Sequence, residues 1–310
     1  MGAAGLLESR RRLLNYLTLL ALPGVGRLTL GRRMEDSGRG WAWLDQAPEA
    51  LLGQLRGSLV PDTSGLLRAV ETALHQRTRM EGLGITPLFR GSPPYPPCLE
   101  RLKDPPRLLF TLGPPPDGRA VAVVGTRKPT EWGLAAARRQ AVALAKAGVP
   151  VLNGLAVGVD RAALASALEA GAPCVGVLAA GLDVETQAGN AELSGRILSL
   201  GGTLVSEYPP GTQAHKGSFI ERDRIQAGLS AAVLVVESGL EGGTLHTAAA
   251  ASEAGIPLYA FFPRDSMDRA RRDPAGLPST LRGNWELIRS GTAVPILSPE
   301  ALLKRIAAPR

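Results

Sequence analysis

From Ala120 onward the chain repeats one pattern: a short run of consecutive apolar residues, a turn that often carries glycine, then a longer amphipathic stretch. AVAVVG, VPVLNG, PCVGVLAAG, TLVSEY, AAVLVVE and IPLYAFF read as buried strands. Between them WGLAAARRQAVALAKAG, DRAALASALEAG, NAELSGRILSLGG, FIERDRIQAGLS and GGTLHTAAAASEAG have helical periodicity. Strands that lack polar alternation need cover on both faces. The pattern therefore predicts an α/β fold, a doubly wound, Rossmann-like parallel sheet with right-handed crossovers.

Outside this region the pattern changes. Residues 1–85 show helical spacing and little strand signal, which predicts a small N-terminal helical domain. Within it LLALPGVGRLTLGRRM has the shape of a helix–hairpin–helix, with Pro23, Gly24 and Gly26 in the turn. Two readings of it stay open: backbone N–H groups aimed at a phosphate, or a plain turn between packed helices. Residues 86–119 are too rich in proline for a long helix and read as a connector with short strands at ITPLF and RLLFTLG. Residues 120–297 make the Rossmann-like domain, which ends in a basic loop, PRDSMDRARRDPAG, and a short helix and strand in NWELIRSGTAVPI. Residues 298–310 form a terminal helix with Ser298 as its N-cap.

The net charge of +7 over 310 residues makes nucleic acid a reasonable partner. The excess lies in residues 1–120 and beyond residue 262, whereas the intervening part is slightly acidic, so a polyanion site there must be local. Cys98 and Cys174 lack metal-ligand spacing, and His75, His215 and His246 are scattered, so no metal is expected. No run of eighteen apolar residues or signal peptide is found, which predicts a cytoplasmic protein with no membrane partner.

Candidate chemistry gathers at the strand ends, where such folds bind ligands. The first turn holds Gly125, Thr126 and Arg127. Later turns bring Gly154 and Gly158, then Gly242, Gly243 and Thr244, as an anion-binding rim. VGTRKP lacks the remaining glycines of a dinucleotide fingerprint and no P-loop occurs, so no cofactor is inferred. The stretch HKGSFIERDRIQAGLS places Lys216, Phe219, Arg222 and Arg224 at a helix start. It is either a solvated helix end with Phe219 in the core, or a site where cations grip phosphates and a ring stacks on bases. No nucleophile–base–orienter set stands out, so the chain is not expected to be an enzyme.

These pieces resemble the DprA/Smf DNA-processing proteins. The resemblance runs through LLALPGVGRLTL, PPYPPCLERLKDPPRLLFTLG, AVAVVGTRKPTEWG, NGLAVGVDRAALASAL, LVSEYPPG, FIERDRIQAGLSAAVLVVES and GGTLHTAAAA, in the family's order. It implies a homodimer that binds single-stranded DNA with little sequence preference and helps load the RecA recombinase in transformation or recombination. It also implies a DNA pocket built from Arg127, Lys216, Phe219, Arg222 and Arg224. The chain departs from the family's pattern at Val157, where arginine is usual, at Leu164, where histidine is usual, and at Asp223, which replaces an asparagine. The Tyr-Pro usually found after the third strand is missing from LDVETQAGN. Two other classes compete: a nucleotide hydrolase of the LOG type and a module that senses a small nucleotide. Alanines in LEGGTLHTAAAA stand where the LOG-type catalytic glutamate could fall, which argues against the hydrolase.

Overall fold

The computed structural model describes residues 3–46, 51, 63–185 and 189–307. They divide into two compact units, Met1–Pro87 and Leu88–Arg310.

The first unit is helical: α1 (Ala3–Leu20), α2 (Arg27–Asp36) and α3 (Thr63–Leu83), with a 3-10 turn at Gly40–Asp45. Leu13, Tyr16, Leu17, Leu30, Met34, Trp43 and Leu44 form its interior. Buried Asn15 donates to Leu44 O at 2.7 Å, and Arg12 pairs with Asp45 at 2.6 Å, which fasten α1 to the 3-10 turn. The hairpin between α1 and α2 holds Gly24 in the left-handed region, at φ 76°, where a side chain would be strained.

The sheet holds strands β1 (Thr86–Phe89), of which Leu88 and Phe89 fall in the second unit, and, wholly within that unit, β2 (Leu108–Leu112), β3 (Ala120–Val124), β4 (Val151–Asn153), β5 (Cys174–Leu178), β6 (Thr203–Ser206), β7 (Ser230–Val235), β8 (Leu258–Phe261) and β9 (Val294–Ile296). Their order is β1-β2-β6-β5-β4-β3-β7-β8-β9. All pairs from β6 through β9 are parallel, and β2 runs antiparallel to β6. The proline-rich segment thus does more than connect: its strands extend the sheet, and residues 88–119 fall within the second unit. Alternate side chains of β3 feed opposite cores. Val121 and Val123 pack on one face with Ala137, Leu144 and Leu164; Ala122 and Val124 pack on the other with Ile225 and Ala248. That double burial explains the unbroken apolar run in the sequence.

The covering helices are α4 (Glu131–Lys146), α5 (Val159–Glu169), α6 (Asn190–Ser199), α7 (Lys216–Gly228), α8 (Gly243–Glu253), α9 (Arg264–Arg272), α10 (Arg282–Arg289) and α11 (Pro299–Ala307). Thr130 caps α4 by accepting from Gly133 N at 3.1 Å, and Ser298 accepts from Ala301 N at 3.3 Å at the start of α11. The segment read as a basic loop forms α9, because RDSMDRARR contains good helix formers and no glycine or proline until Pro274 stops it.

Topology places the site. After β3 the chain builds outward through β4, β5 and β6. Helix α7 then carries it back across the sheet to β7, on the other side of β3. The strand order reverses at β3, so a crevice opens past the carboxyl ends of β3 and β7.

Asn284 closes the neighbouring edge. Fully buried in α10, its Nδ2 donates to Val236 O at 3.0 Å and Phe261 O at 2.9 Å, which pins the ends of β7 and β8. Asn284→Ala would leave those carbonyls unpaired and is expected to destabilise the protein by about 1–3 kcal/mol. Denaturant unfolding checks this; a loss below about 0.5 kcal/mol would contradict the pinning role.

Candidate functional site

A cleft of about 530 Å³ occupies this switch point. One wall is the turn Gly125–Lys128 after β3. The second is the turn after β7 and the start of α8, through Gly242, Gly243, Thr244 and His246. The third is the face of α7 that carries Lys216, Phe219 and Asp223, and Asp160 of α5 lies among the lining residues.

At the mouth the guanidinium of Arg127 lies 5.5 Å from the centroid of the Phe219 ring, a cation–π arrangement. Arg127 is exposed and forms no ion pair among the described residues, while Phe219 is half-buried. Lys128 and Lys216 are exposed beside them. Helix α7 begins at Lys216, capped by His215, whose Nδ1 accepts from Ser218 N at 3.3 Å while Ser218 Oγ accepts from His215 N at 2.9 Å. This reciprocal cap sets the first turn of α7, and with it the placement of Lys216 and Phe219 at the mouth. Gly242 opens α8 at φ 128° with no side-chain cap, so the N-terminus of that helix faces the cleft with N–H groups available to an anion.

Two of the expected rim glycines have another task. Neither Gly154 nor Gly158 lines the cleft. A Cβ on Gly158, at φ 90°, would stand 2.4 Å from Thr126 O, so its bareness lets the β4 turn pack under the Arg127 turn. A Cβ on Gly154 would fall within 1.6 Å of Arg222 Nη1. Gly242, Gly243, Thr244, Gly125 and Thr126 do line it, as does Arg222. Sequence reasoning passed over Glu237. Fully buried, it accepts from Thr130 N at 3.0 Å through Oε2, while its backbone carbonyl accepts from Thr126 N at 2.7 Å. It therefore ties the Arg127 turn to β7. Its place at the end of an apolar strand, before a glycine turn, was the available signal.

The floor is a buried charge cluster. Arg222 is 4% exposed; its Nη1 donates to Val177 O at 2.7 Å, and its Nε lies 3.2 Å from Asp223 Oδ1. Asp160 accepts from Gly154 N at 3.1 Å. Burial pushes the Asp160 carboxyl up to about 6, against the opposing pull of Arg222 and the Gly154 N–H. Burial also raises Asp223, again opposed by Arg222. Asp223 is thus an internal partner of Arg222, and it does not bridge two arginines. Arg224, expected in the pocket, is outside it: it bonds Glu207 at 3.0 Å and approaches Asp104 at 3.5 Å. Residues 222 and 224 are two positions apart, so a helix turns them to different sides. Leu164 lies in the core and the exposed Val157 lies outside the cleft lining, so neither departure touches the floor.

Beside the cleft, the strained backbone is at Leu155, which sits at φ 56° two residues past the end of β4, with its N–H bonded to Asn153 Oδ1 at 3.1 Å. No cluster of metal-ligating side chains occurs among the described residues. No described helix is long and apolar enough to cross a membrane.

Known proteins share this architecture. The family described as DNA recombination-mediator protein A matches residues 86–307. Protein Smf of Synechocystis is 34% identical over 222 residues, covering 70% of this chain and 52% of that protein. A DNA processing protein DprA of Mycobacterium tuberculosis is 41% identical over 187 residues, 59% of this chain and 47% of its own. The chain spans about half the length of the curated relatives it matches. Among solved structures, DNA processing protein A of Helicobacter pylori, described as binding single-stranded DNA, superposes with a TM-score of 0.61 at 27% identity. It covers 72% of this chain and 95% of that one. DprA of Streptococcus pneumoniae shares the fold with a TM-score of 0.66 at 24% identity, over 98% of both chains.

The raised Asp160 generates a pH signature. The folded state holds this proton more tightly than the unfolded chain, so ionising it opposes folding. That penalty is absent at low pH and grows as pH rises from about 4 to about 7. Asp160→Asn keeps an acceptor for Gly154 N–H and cannot ionise. Its stability relative to the parent should rise across that window by about 1–3 kcal/mol. Unfolding curves at several pH values provide the check, and a pH-independent difference would refute it.

Proposed function

The chain belongs to the DNA recombination-mediator protein A family, and on that premise we propose that its cleft binds single-stranded DNA. The observation that carries this reading is the pairing of Arg127 with Phe219 at the mouth, a ring and a guanidinium side by side at the switch point. A base stacks on a half-exposed ring or on a guanidinium plane, and each such contact contributes roughly 1–3 kcal/mol. Lys128, Lys216 and the open start of α8 receive the phosphates. Duplex DNA hides its base faces, so this surface favours single strands. The H. pylori relative's described mode of binding supports the reading.

The role is non-catalytic. The cleft gathers cations, a ring, Asp160 and Asp223 engaged with backbone or Arg222, and the exposed Glu241, and no hydrogen bond among its described residues pairs a nucleophile with a base. In our reading the protein acts as a homodimer that coats single strands and passes them to the RecA recombinase, in recombination or transformation.

Fluorescence anisotropy with matched single- and double-stranded oligonucleotides tests the substrate. Single strands should bind more tightly, with affinity falling steeply as salt rises; equal affinity for both forms would sink the stacking argument.

Arg127→Ala should weaken single-strand binding by roughly one to two orders of magnitude, with little change in melting temperature because the side chain is exposed. Because Arg127 and Phe219 touch, the double substitution with Phe219→Ala should cost less than the sum of the singles. Strict additivity would show that the two bind independently. Unchanged affinity with a large fall in melting temperature would make Arg127 a structural residue.

A further inference from the structure

The floor of the cleft carries acceptors that the protein itself leaves unused. Asp223, 5% exposed, engages only through Oδ1, which takes the ion pair from Arg222 Nε and a hydrogen bond from Gln226 Nε2 at 2.7 Å. Its Oδ2 accepts nothing among the described residues and lies on the side of α8, 3.4 Å from where a Cβ on Gly243 would stand. Gln226, 2% exposed, also lines the cleft. A carboxylate beside an arginine only accepts, so the bond to Asp223 fixes which end of the Gln226 amide is the donor. The carbonyl end is thereby fixed as well, and Gln226 Oε1 is buried without a partner. An unpaired buried acceptor is costly, and it suits a ligand that brings an N–H group.

Mouth and floor therefore ask for opposite chemistries. The mouth is cationic and fits phosphate, through Arg127, Lys128 and Lys216. At the floor the lining residues Asp223 and Gln226 each keep an acceptor oxygen without a partner among the described residues, which suits a ligand that brings two donors. Guanine alone among the common bases carries two neighbouring donors, N1–H and the N2 amino group, on its Watson–Crick edge. Adenine and cytosine offer one amino group beside an acceptor, and thymine one imino group between two acceptors. Splayed bases of single strands are read along that edge.

We propose that Asp223 Oδ2 and Gln226 Oε1 read a single guanine seated on the cleft floor, so that binding of single strands, which this inference presupposes, prefers a guanine at one position. The cleft volume of about 530 Å³ falls within the range of sites for small ligands. The replacement of asparagine by Asp223 then has a purpose: asparagine would offer one acceptor and one donor, whereas the carboxylate offers acceptors alone while still neutralising Arg222.

The experiment uses the full chain and a set of short thymidine oligonucleotides that carry one central dG, dA, dC or inosine, with affinity read by fluorescence anisotropy at constant salt. The dG oligonucleotide should bind about tenfold more tightly than the dA one, in line with a bidentate base contact. Inosine lacks the N2 amino group and should fall between them, a comparison that needs no altered protein. Asp223→Asn, with its fold confirmed by circular dichroism, should shrink the ratio of dG to dA affinities. Binding of every oligonucleotide with equal affinity would overturn guanine reading and leave the single-strand reading standing. Failure to bind any of them would overturn both. Inosine equal to guanine would overturn the two-acceptor geometry.

Discussion

Burying a guanidinium at the bottom of a cleft is the constraint on which the rest of the site depends. Arg222 cannot lose its charge, so the interior must supply both room and counter-charge. Room comes from Gly154, whose missing side chain is occupied by the guanidinium. Counter-charge comes from Asp223 beside it and from Asp160, and the carbonyl of Val177 accepts one of its N–H groups. These partners come from α7, from β5 and from the short stretch between Gly154 and Asp160 that leads from β4 into α5, so one side chain draws together three segments that the sequence keeps apart. The floor is rigid for that reason. Without Asp223 the buried guanidinium would keep Asp160 as its remaining counter-charge.

The mouth is organised on the opposite principle. Its cations are exposed and free to follow a flexible ligand, and what positions them is backbone. Glu237 ties the Arg127 turn to the end of β7, and His215 with Ser218 sets the first turn of α7. A firm floor beneath a compliant mouth suits a chain-like ligand whose phosphates vary in path while one base is seated.

Much of this was legible in the sequence because double burial writes itself as uninterrupted apolar runs. β3, β5 and β7 were readable for that reason, and so was the switch point that follows from their order. Arg127, Lys216 and Phe219 do meet at one cleft, since strand ends and helix starts are predictable places. The direction of each side chain was harder to see. Arg222 and Arg224 look alike in the sequence, yet one lies under the cleft and the other pairs with Glu207, because a difference of two residues on a helix decides the face. Gly154 and Gly158 were read as ligand contacts when they serve as gaps for neighbours, a distinction that needs three-dimensional proximity. The segment 264–272 looked like a loop because its charges mask its helical propensity.

The backbone of Leu155 is held where glycine would be comfortable. Glycine there would release the strain, yet the leucine side chain fills the space over Gly176: a Cβ on that residue would lie 2.6 Å from Leu155 Cδ1. A larger residue at 176 would meet Leu204 as well, whose Cδ2 would lie 2.9 Å away, and a smaller one at 155 opens a void while 176 is glycine. Position 176 is thus coupled to 155 and 204 at once. A side chain at 176 needs room from both neighbours, so a joint pattern of substitution at 155, 176 and 204 would mark where the strained turn has been kept and where it has been relaxed.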